Sequence, residues 1–451
     1  MRNQILLLML ISHFAVFAQS PNTNGKNQLF KNKEEERVFN QVQQASFEYF
    51  RKGAEPISGM GRERIHLDGN YPSKDQTVVT SGGSGFGVMA LIVGMERKYI
   101  SRQEGVEQLS KILHFLETAD RFKGAWPHWW NGETGKVKPF GRKDNGGDLV
   151  ETSYMLQGLL CMRQYFQNGT SAEKALAVRA DKLWKEVDFD WYRNGQNVLY
   201  WHWSPDYAWQ MNFPVRGYNE CLIMYVLAAA SPTHAVPAEV YHQGWASNGK
   251  IKADSVRYAG LSLQMHHQGN AVNGGPLFWS QYSYLGLDPR GLKDAYADYW
   301  KENTNQSLIN YQWCVDNPGK FKGYGPNNWG LTASYSVKGY AGHAPSKNND
   351  LGVISPTAAL SAFPFTPKQS MAAMMHWYTN KKDKLFGEYG FYDAFSETDN
   401  WYLPHYLAID QGPIVVMMEN YRSGLLWNLF MSCPEIKTGL KKLGFQSPKL
   451  P

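Results

Sequence analysis

Apolar residues recur at helical spacing through most of this chain, while strand-like alternation is rare and brief. That confines the fold to a helical class. In 34–51, Val38, Phe39, Val42, Phe47 and Phe50 make one apolar face. Further helical runs are predicted after Thr80-Ser81 and over 103–119, 149–166, 172–187, 218–230, 292–314, 368–378 and 413–430. The segments between them include 126–130, 200–203, 270–281 and 327–329, all rich in Trp, Gly, Asn and His. Long loops inside a compact domain usually carry function. Helical hairpins joined by such loops suit an all-α toroid of (α/α) type, with the loops gathered around a groove on one face. No sequence repeat marks the hairpins.

The first eighteen residues read as a signal peptide: Arg2, then an apolar run over 5–18 broken by Ser12-His13, ending Val16-Phe17-Ala18 before Gln19. No later run reaches the length of a spanning helix, so an exported protein without membrane insertion is expected, periplasmic or secreted. No Cys follows the cleavage point to carry a lipid. Residues 19–33 are expected to form a flexible segment and 34–446 one domain, acting as a monomer. Cys161, Cys221, Cys314 and Cys433 are too few for a disulfide framework in a chain of this length. The net charge of +6 comes partly from Lys-rich ends, and no basic stripe suits phosphates, which excludes nucleic acid.

Three carboxylates crowd the stretch Asp144-Asn145-Gly146-Gly147-Asp148-Leu149-Val150-Glu151, where a loop becomes a helix. Asp148 falls at the N-cap and Glu151 one turn in, the spacing of a capping box. Capping accounts for neither Asp144 nor the paired glycines, so the stretch also reads as a polar ligand site. Aromatic residues make up 14% of the chain, with 16 Trp and 26 Tyr, many of them in the loops. Aromatic faces that stack on sugar rings, with carboxylates to hold hydroxyls, point to a carbohydrate ligand. Trp126, Trp129, Trp201 and Trp329 are the candidate platforms, and core packing is the rival reading of each. His128, His202, His266, His267 and His343 have no metal-ligand spacing, and the Gly-rich 82–87 lacks the phosphate-loop ending. Neither a metal nor a cofactor is expected.

Two further carboxylates stand out by context. Glu220 lies in an apolar helical run, where burial would raise its pKa as a general acid requires, unless Arg216 pairs with it one turn earlier. Asp410 lies just before a helix that Pro413 would open, a setting that favours the ionised form and suits a general base, with capping as the rival.

Taken together, these stretches resemble glycoside hydrolase family 144, the bacterial endo-β-1,2-glucanases with a glucoamylase-like domain. The resemblance spans nearly the whole mature chain. It rests on the motifs at 144–151 and 217–220 (Gly-Tyr-Asn-Glu), at 274–280 (Gly-Gly-Pro-Leu-Phe-Trp-Ser) and at 330–334 (Gly-Leu-Thr-Ala-Ser). It continues through 353–360, 389–395 (Tyr-Gly-Phe-Tyr-Asp-Ala-Phe) and 408–413 (Ala-Ile-Asp-Gln-Gly-Pro). It implies an (α/α)6 barrel and inverting hydrolysis of β-1,2-glucan to sophorose and short oligosaccharides, with Glu220 as acid and Asp410 as base. Asp144, Asp148 and Glu151 would hold glucose hydroxyls and orient the groove, kept ionised by the helix end. The crowded β-1,2 linkage suggests that the base acts through a substrate hydroxyl or a water. Two other classes compete. A polysaccharide lyase could use Tyr71, His202 or His266-His267, but the loops lack the cations that a uronate chain needs. A glucan-binding protein would have no use for Glu220 and Asp410.

Overall fold

The computed structural model describes residues 29–253 and 256–450; the signal-peptide reading of 1–18 lies outside them. Its helices fall into two kinds that alternate along the chain. One kind is amphipathic. Helix α1 (Lys33–Arg51) begins at Asn32, whose Oδ1 accepts the N–H groups of Glu34 and Glu35, and it buries Val38, Phe39, Val42 and Phe47. Helices α3 (Arg102–Thr118) and α5 (Ser171–Lys185) each start with a complete capping box, Ser101 with Glu104 and Thr170 with Glu173. The other kind is buried on every side: α2 (Ser81–Glu96), α4 (Leu149–Phe166), α6 (Leu222–Ala230), the short α8 (Pro356–Leu360) and α11 (Ala408–Arg422). A helix apolar all round must sit inside, and a one-sided helix must cover it.

The inner elements close a ring. α2 packs on α4, α4 on α6, and α6 on the turn Tyr282–Tyr284; Gln281 Nε2 then donates to the Ala358 carbonyl of α8, which packs on α11, which returns to α2. Outside it lie α1, α3, α5, the π-turn Val240–Trp245, α7 (Tyr299–Asp316) and α9 (Pro367–Asn380). This is an (α/α)6 barrel. After α9 come the single turn α10 (Lys382–Leu385) and α11, and then α12 (Leu425–Ser432) and α13 (Pro434–Lys442) pack against α4 and α6. Two glycines allow the closest approach in the ring: a Cβ on Gly85 would meet Met155 Cα at 2.4 Å, and one on Gly158 would meet the Gly85 carbonyl at 2.3 Å. No described helix is long and apolar enough to cross a membrane.

Three predicted boundaries shift. The helix expected over 218–230 starts at Leu222, because Tyr218 is held in an extended bridge to His267, with Gln268 N–H donating to the Tyr218 carbonyl at 2.9 Å. The helix expected over 292–314 starts at Tyr299, capped by Asp298. The run over 413–430 is two helices broken at Gly424, whose φ of 68° is left-handed, and α11 begins five residues before Pro413 rather than at it.

Short strands join loops of different hairpins. Val78–Thr80 pairs with Trp129–Asn131, Gly147–Asp148 with His202–Trp203, and Arg64–His66 with His405–Leu407. One strand of each pair runs directly into an inner helix: α2, α4 and α11 respectively. The N-terminal ends of these inner helices therefore open toward the stapled loops, and there the carboxylates gather.

Candidate active site

A cleft of about 420 Å³ opens at these helix ends. Its walls are aromatic, with Trp129, Phe140, Trp201, Phe278, Tyr282, Tyr335 and Tyr340, and its charged groups are Glu63, Arg64, His128, Glu151 and Glu220. Tyr335 and Tyr340 come from the hairpin Ala333–Ser336 and Gly339–Gly342 within the loop after α7. Phe140 stacks on His128 at 4.3 Å between ring centroids.

Glu220 sits two residues before α6, not on it. Its backbone carbonyl accepts the hydroxyls of Tyr154 and Ser283, which fixes the residue against α4 and the inner turn. Arg216 does not pair with it; that guanidinium donates to the carbonyls of Gln243 and Gly244. The Glu220 carboxyl is left with Oε2 buried and unpartnered. Burial, then the charges of Glu151 and Asp148, raise its pKa from 4.5 to about 8, so it holds its proton at neutral pH.

The 144–151 cluster divides by depth. Asp148 caps α4 by accepting the Glu151 N–H on Oδ1 at 2.9 Å, while Oδ2 accepts from Trp201 Nε1 at 3.1 Å and lies 3.0 Å from His128 Nδ1. The reciprocal half of a capping box is absent, because Glu151 turns to the Gly82 N–H of α2 at 2.8 Å. A Cβ on Gly82 would fall 2.4 Å from that carboxylate oxygen, so only glycine permits the contact. Burial pushes the Asp148 carboxyl up, but the His128 hydrogen bond and the charges of His128 and His202 bring it below its ordinary value. Burial and then Asp148 raise Asp144, and burial above all lifts Glu151 to about 7. His128 thus holds Asp148 in its ionised form, while burial pushes Asp144 and Glu151 upward, against the expectation that the helix end favours the ionised form of all three. His128, buried yet surrounded by Glu151, Asp148 and Asp144, is raised to about 9 and is an imidazolium. Of the three carboxylates, Glu151 alone lines the cleft. Asp148 is fully buried with both oxygens engaged, and Asp144 lies 3.3 Å from His202 Nδ1, so neither reaches a ligand directly. They hold His128, Trp201 and His202 in place. His128, Asp144 and Asp148 bring ligand-type atoms within 4.8 Å of one another, but these groups are engaged in that network.

Asp410 lies in the first turn of α11 and is buried behind the cleft wall formed by Leu407 and Ile409. Both of its carboxyl oxygens lack a conventional partner, and beside it lies Asp393, which accepts the Tyr335 N–H at 3.3 Å. Burial, then the Asp393 charge and hydrogen bond, raise Asp410 far above an ordinary carboxyl; burial raises Asp393 to about 6. The expectation of an ionised Asp410 at a helix end is corrected. Two carboxyls buried together share one proton, as like charges at close range require, and the pair carries a single negative charge near neutrality. Asp393 falls within the 389–395 motif, and nothing local in the sequence distinguishes it as a site residue.

The tryptophans divide too. Trp129 and Trp201 line the cleft, Trp201 stacked on Phe213 at an interplanar angle of 12°. Trp126 and Trp329 are fully buried, with indole N–H groups donating to the carbonyls of Leu116 and Gln369. Those two are core, and no face is left for a sugar. None of Tyr71, His202, His266 and His267, the groups of the lyase reading, lines the cleft.

The family model described as "Putative glucoamylase" matches residues 212–434. The endo-β-1,2-glucanase of Chitinophaga pinensis, solved with sophorotriose and glucose, is 71% identical with a TM-score of 0.91, over 92% of this chain and 99% of that one. The exo β-1,2-glucooligosaccharide sophorohydrolase (non-reducing end) of Parabacteroides distasonis is 44% identical over 91% of this chain. This chain spans 58% of the length of that curated relative. An endo-β-1,2-glucanase mutant of Talaromyces funiculosus, solved with β-1,2-glucan, shares the fold alone, at 11% identity and a TM-score of 0.64 over 93% of each chain.

Proposed function

Because the chain belongs to glycoside hydrolase family 144, we propose that it hydrolyses β-1,2-linked glucan with inversion at the anomeric carbon. Glu220 carries this reading: it is a cleft-lining carboxyl that holds its proton at neutral pH, with an oxygen that no protein group occupies. It protonates the glycosidic oxygen as the bond breaks. The base is the Asp393–Asp410 pair, acting as a unit with one negative charge. Inversion requires the base to serve the opposite face of the ring, with carboxyls about 6.5–9.5 Å apart so that water fits between. Asp410 does not line the cleft, which supports a relay: water at the anomeric carbon passes its proton to Asp410 through a substrate hydroxyl or a second water. Glu151 and the His128 imidazolium bind glucose hydroxyls, while Trp129, Trp201 and the tyrosines flank the sugar faces. The 71% identity with an endo-acting relative supports internal cleavage to sophorose and short oligosaccharides. Export through the leader at 1–18, and one domain over 34–446 acting as a monomer, belong to the same proposal.

The test is incubation of purified protein and its Glu220→Gln variant with linear β-1,2-glucan, beside β-1,3-glucan, following products by chromatography and early anomers by proton NMR. Short β-1,2-linked products with the α-anomer appearing first, and loss of about 10²–10⁴-fold in the variant, are expected. Equal cleavage by the variant, or β-anomer first, would remove Glu220 or inversion from the mechanism. Binding of glucan with no cleavage would leave a capture protein.

A further inference from the structure

Strand pairing sets two histidines from opposite ends of the chain side by side. His66 and His405 face each other in antiparallel register, with ring centroids 3.9 Å apart. His66 is 7% exposed, and its Nε2 is buried without a hydrogen-bond partner, as is Nδ1 of His405. Asp68, on the exposed loop two residues past His66, brings a carboxylate oxygen in, so that ligand-type atoms of His66, Asp68 and His405 all lie within 4.8 Å of one another. The Asp68 carboxylate is itself anchored, because Oδ1 accepts the Asn70 N–H at 3.0 Å. A second carboxylate, Asp75, stands 3.7 Å from His66 Nε2 with its own Oδ1 unpartnered.

Neutral imidazole has one donor and one acceptor nitrogen, and a buried ring nitrogen normally finds a partner. Two adjoining rings, each with an unpartnered buried nitrogen, break that rule together. The neutral imidazole is the form that metal ions take as ligand. The nearest cation, Arg64, is engaged by Glu63, Asp75 and the Tyr335 hydroxyl.

We propose that His66, Asp68 and His405 form a three-ligand site for a borderline-soft divalent cation of the Zn²⁺ class, with water completing the tetrahedron. The site is independent of the hydrolytic reading. Its place in the fold gives it a consequence: the His405 carbonyl accepts the Asp393 N–H at 3.0 Å, and His405–Leu407 leads directly into the helix that carries Asp410. A cation there ties the strand pair that holds both members of the carboxyl dyad.

The experiment uses full-length, untagged protein stripped with a chelator, loaded with Zn²⁺, dialysed and assayed by elemental analysis, with Co²⁺ as the spectroscopic probe. About one equivalent of zinc and the visible bands of tetrahedral Co²⁺ are expected. His405→Gln and the exposed Asp68→Asn should each weaken zinc binding at least about tenfold, while His128→Gln binds as the parent does. Circular dichroism melts of each variant separate lost ligands from lost fold. No retained zinc, undiminished binding in both His405→Gln and Asp68→Asn, or loss in His128→Gln alone would overturn the assignment.

Discussion

Glu220 should cost the fold stability that grows with pH, and replacing it with Gln should recover that stability in a pH-dependent way. With a folded pKa of about 8 and an ordinary value of 4.5, the native state holds a proton that the unfolded chain has released across this window. The sign follows from proton counting. The contribution of the protonated carboxyl is intact below 4.5, falls as pH rises, and is lost by the time pH passes 8. At pH 5 the penalty is about 1 kcal/mol and at pH 7 about 3 kcal/mol, so the gap between Glu220→Gln and the parent should widen by about 2 kcal/mol over that range. The Gln amide brings an offset of its own, because the position of Oε2 offers no acceptor for an N–H; that offset does not vary with pH. Urea unfolding of both proteins at pH 5, 6 and 7 isolates the slope. A gap that stays constant within error would mean that Glu220 titrates as an ordinary carboxylate, and the argument for it as a proton donor near neutrality would fail.

The pH dependence of kcat/KM should be bell-shaped, rising as the Asp393–Asp410 pair loses its first proton near 6 and falling as Glu220 ionises near 8. Asp393→Asn leaves Asp410 to titrate alone, still raised by burial and without the shared proton that eases the pair's first ionisation, so steady-state kinetics across pH should show the acidic limb moving to higher pH with the basic limb fixed; a drop in amplitude alone would make Asp393 structural. Trp126→Ala should cost about 3–5 kcal/mol in thermal or urea unfolding by opening the core. Trp129→Ala should cost about 1 kcal/mol or less in the same assay and raise KM for glucan about fivefold through lost stacking.

Periodicity alone located α1, α3, α4, α5 and α9 within a few residues, because each makes its own apolar stripe or fully apolar run. It missed the start of α11, which carries Pro413 inside its second turn instead of at its opening, and those of α6 and α7, where bridges to distant segments hold the chain extended ahead of the helix. The same cause hides the finer anatomy of the site. Trp126 and Trp129 share one five-residue stretch and one side-chain chemistry, and what separates them is depth: Trp126 donates into the core while Trp129 begins a strand whose next residue, Trp130, turns inward. Asp393 and Asp410 meet across a loop, as do His66 and His405 across most of the chain, and pairings of two to four residues leave no pattern in sequence. The three carboxylates of 144–151 were legible as a group, but their division into a cap, a buried brace and a cleft-lining acid depends on His128, Gly82 and Trp201, which other segments bring.

The glycine contact between α2 and α4 has a mechanical outcome. With backbone against backbone at Gly85 and Gly158, the two helices have no side-chain cushion along which to slide. The Gly82 amide and the Glu151 carboxylate therefore keep a fixed spacing whatever enters the cleft. Width must be set by the opposite jaw, the hairpin bearing Tyr335 and Tyr340, whose outer strand is solvent-exposed along its length. Reach along a polymer and fidelity of proton transfer are thus separable traits. The hairpin can be lengthened or exchanged to suit a different chain length while the anvil beneath it stays as it is.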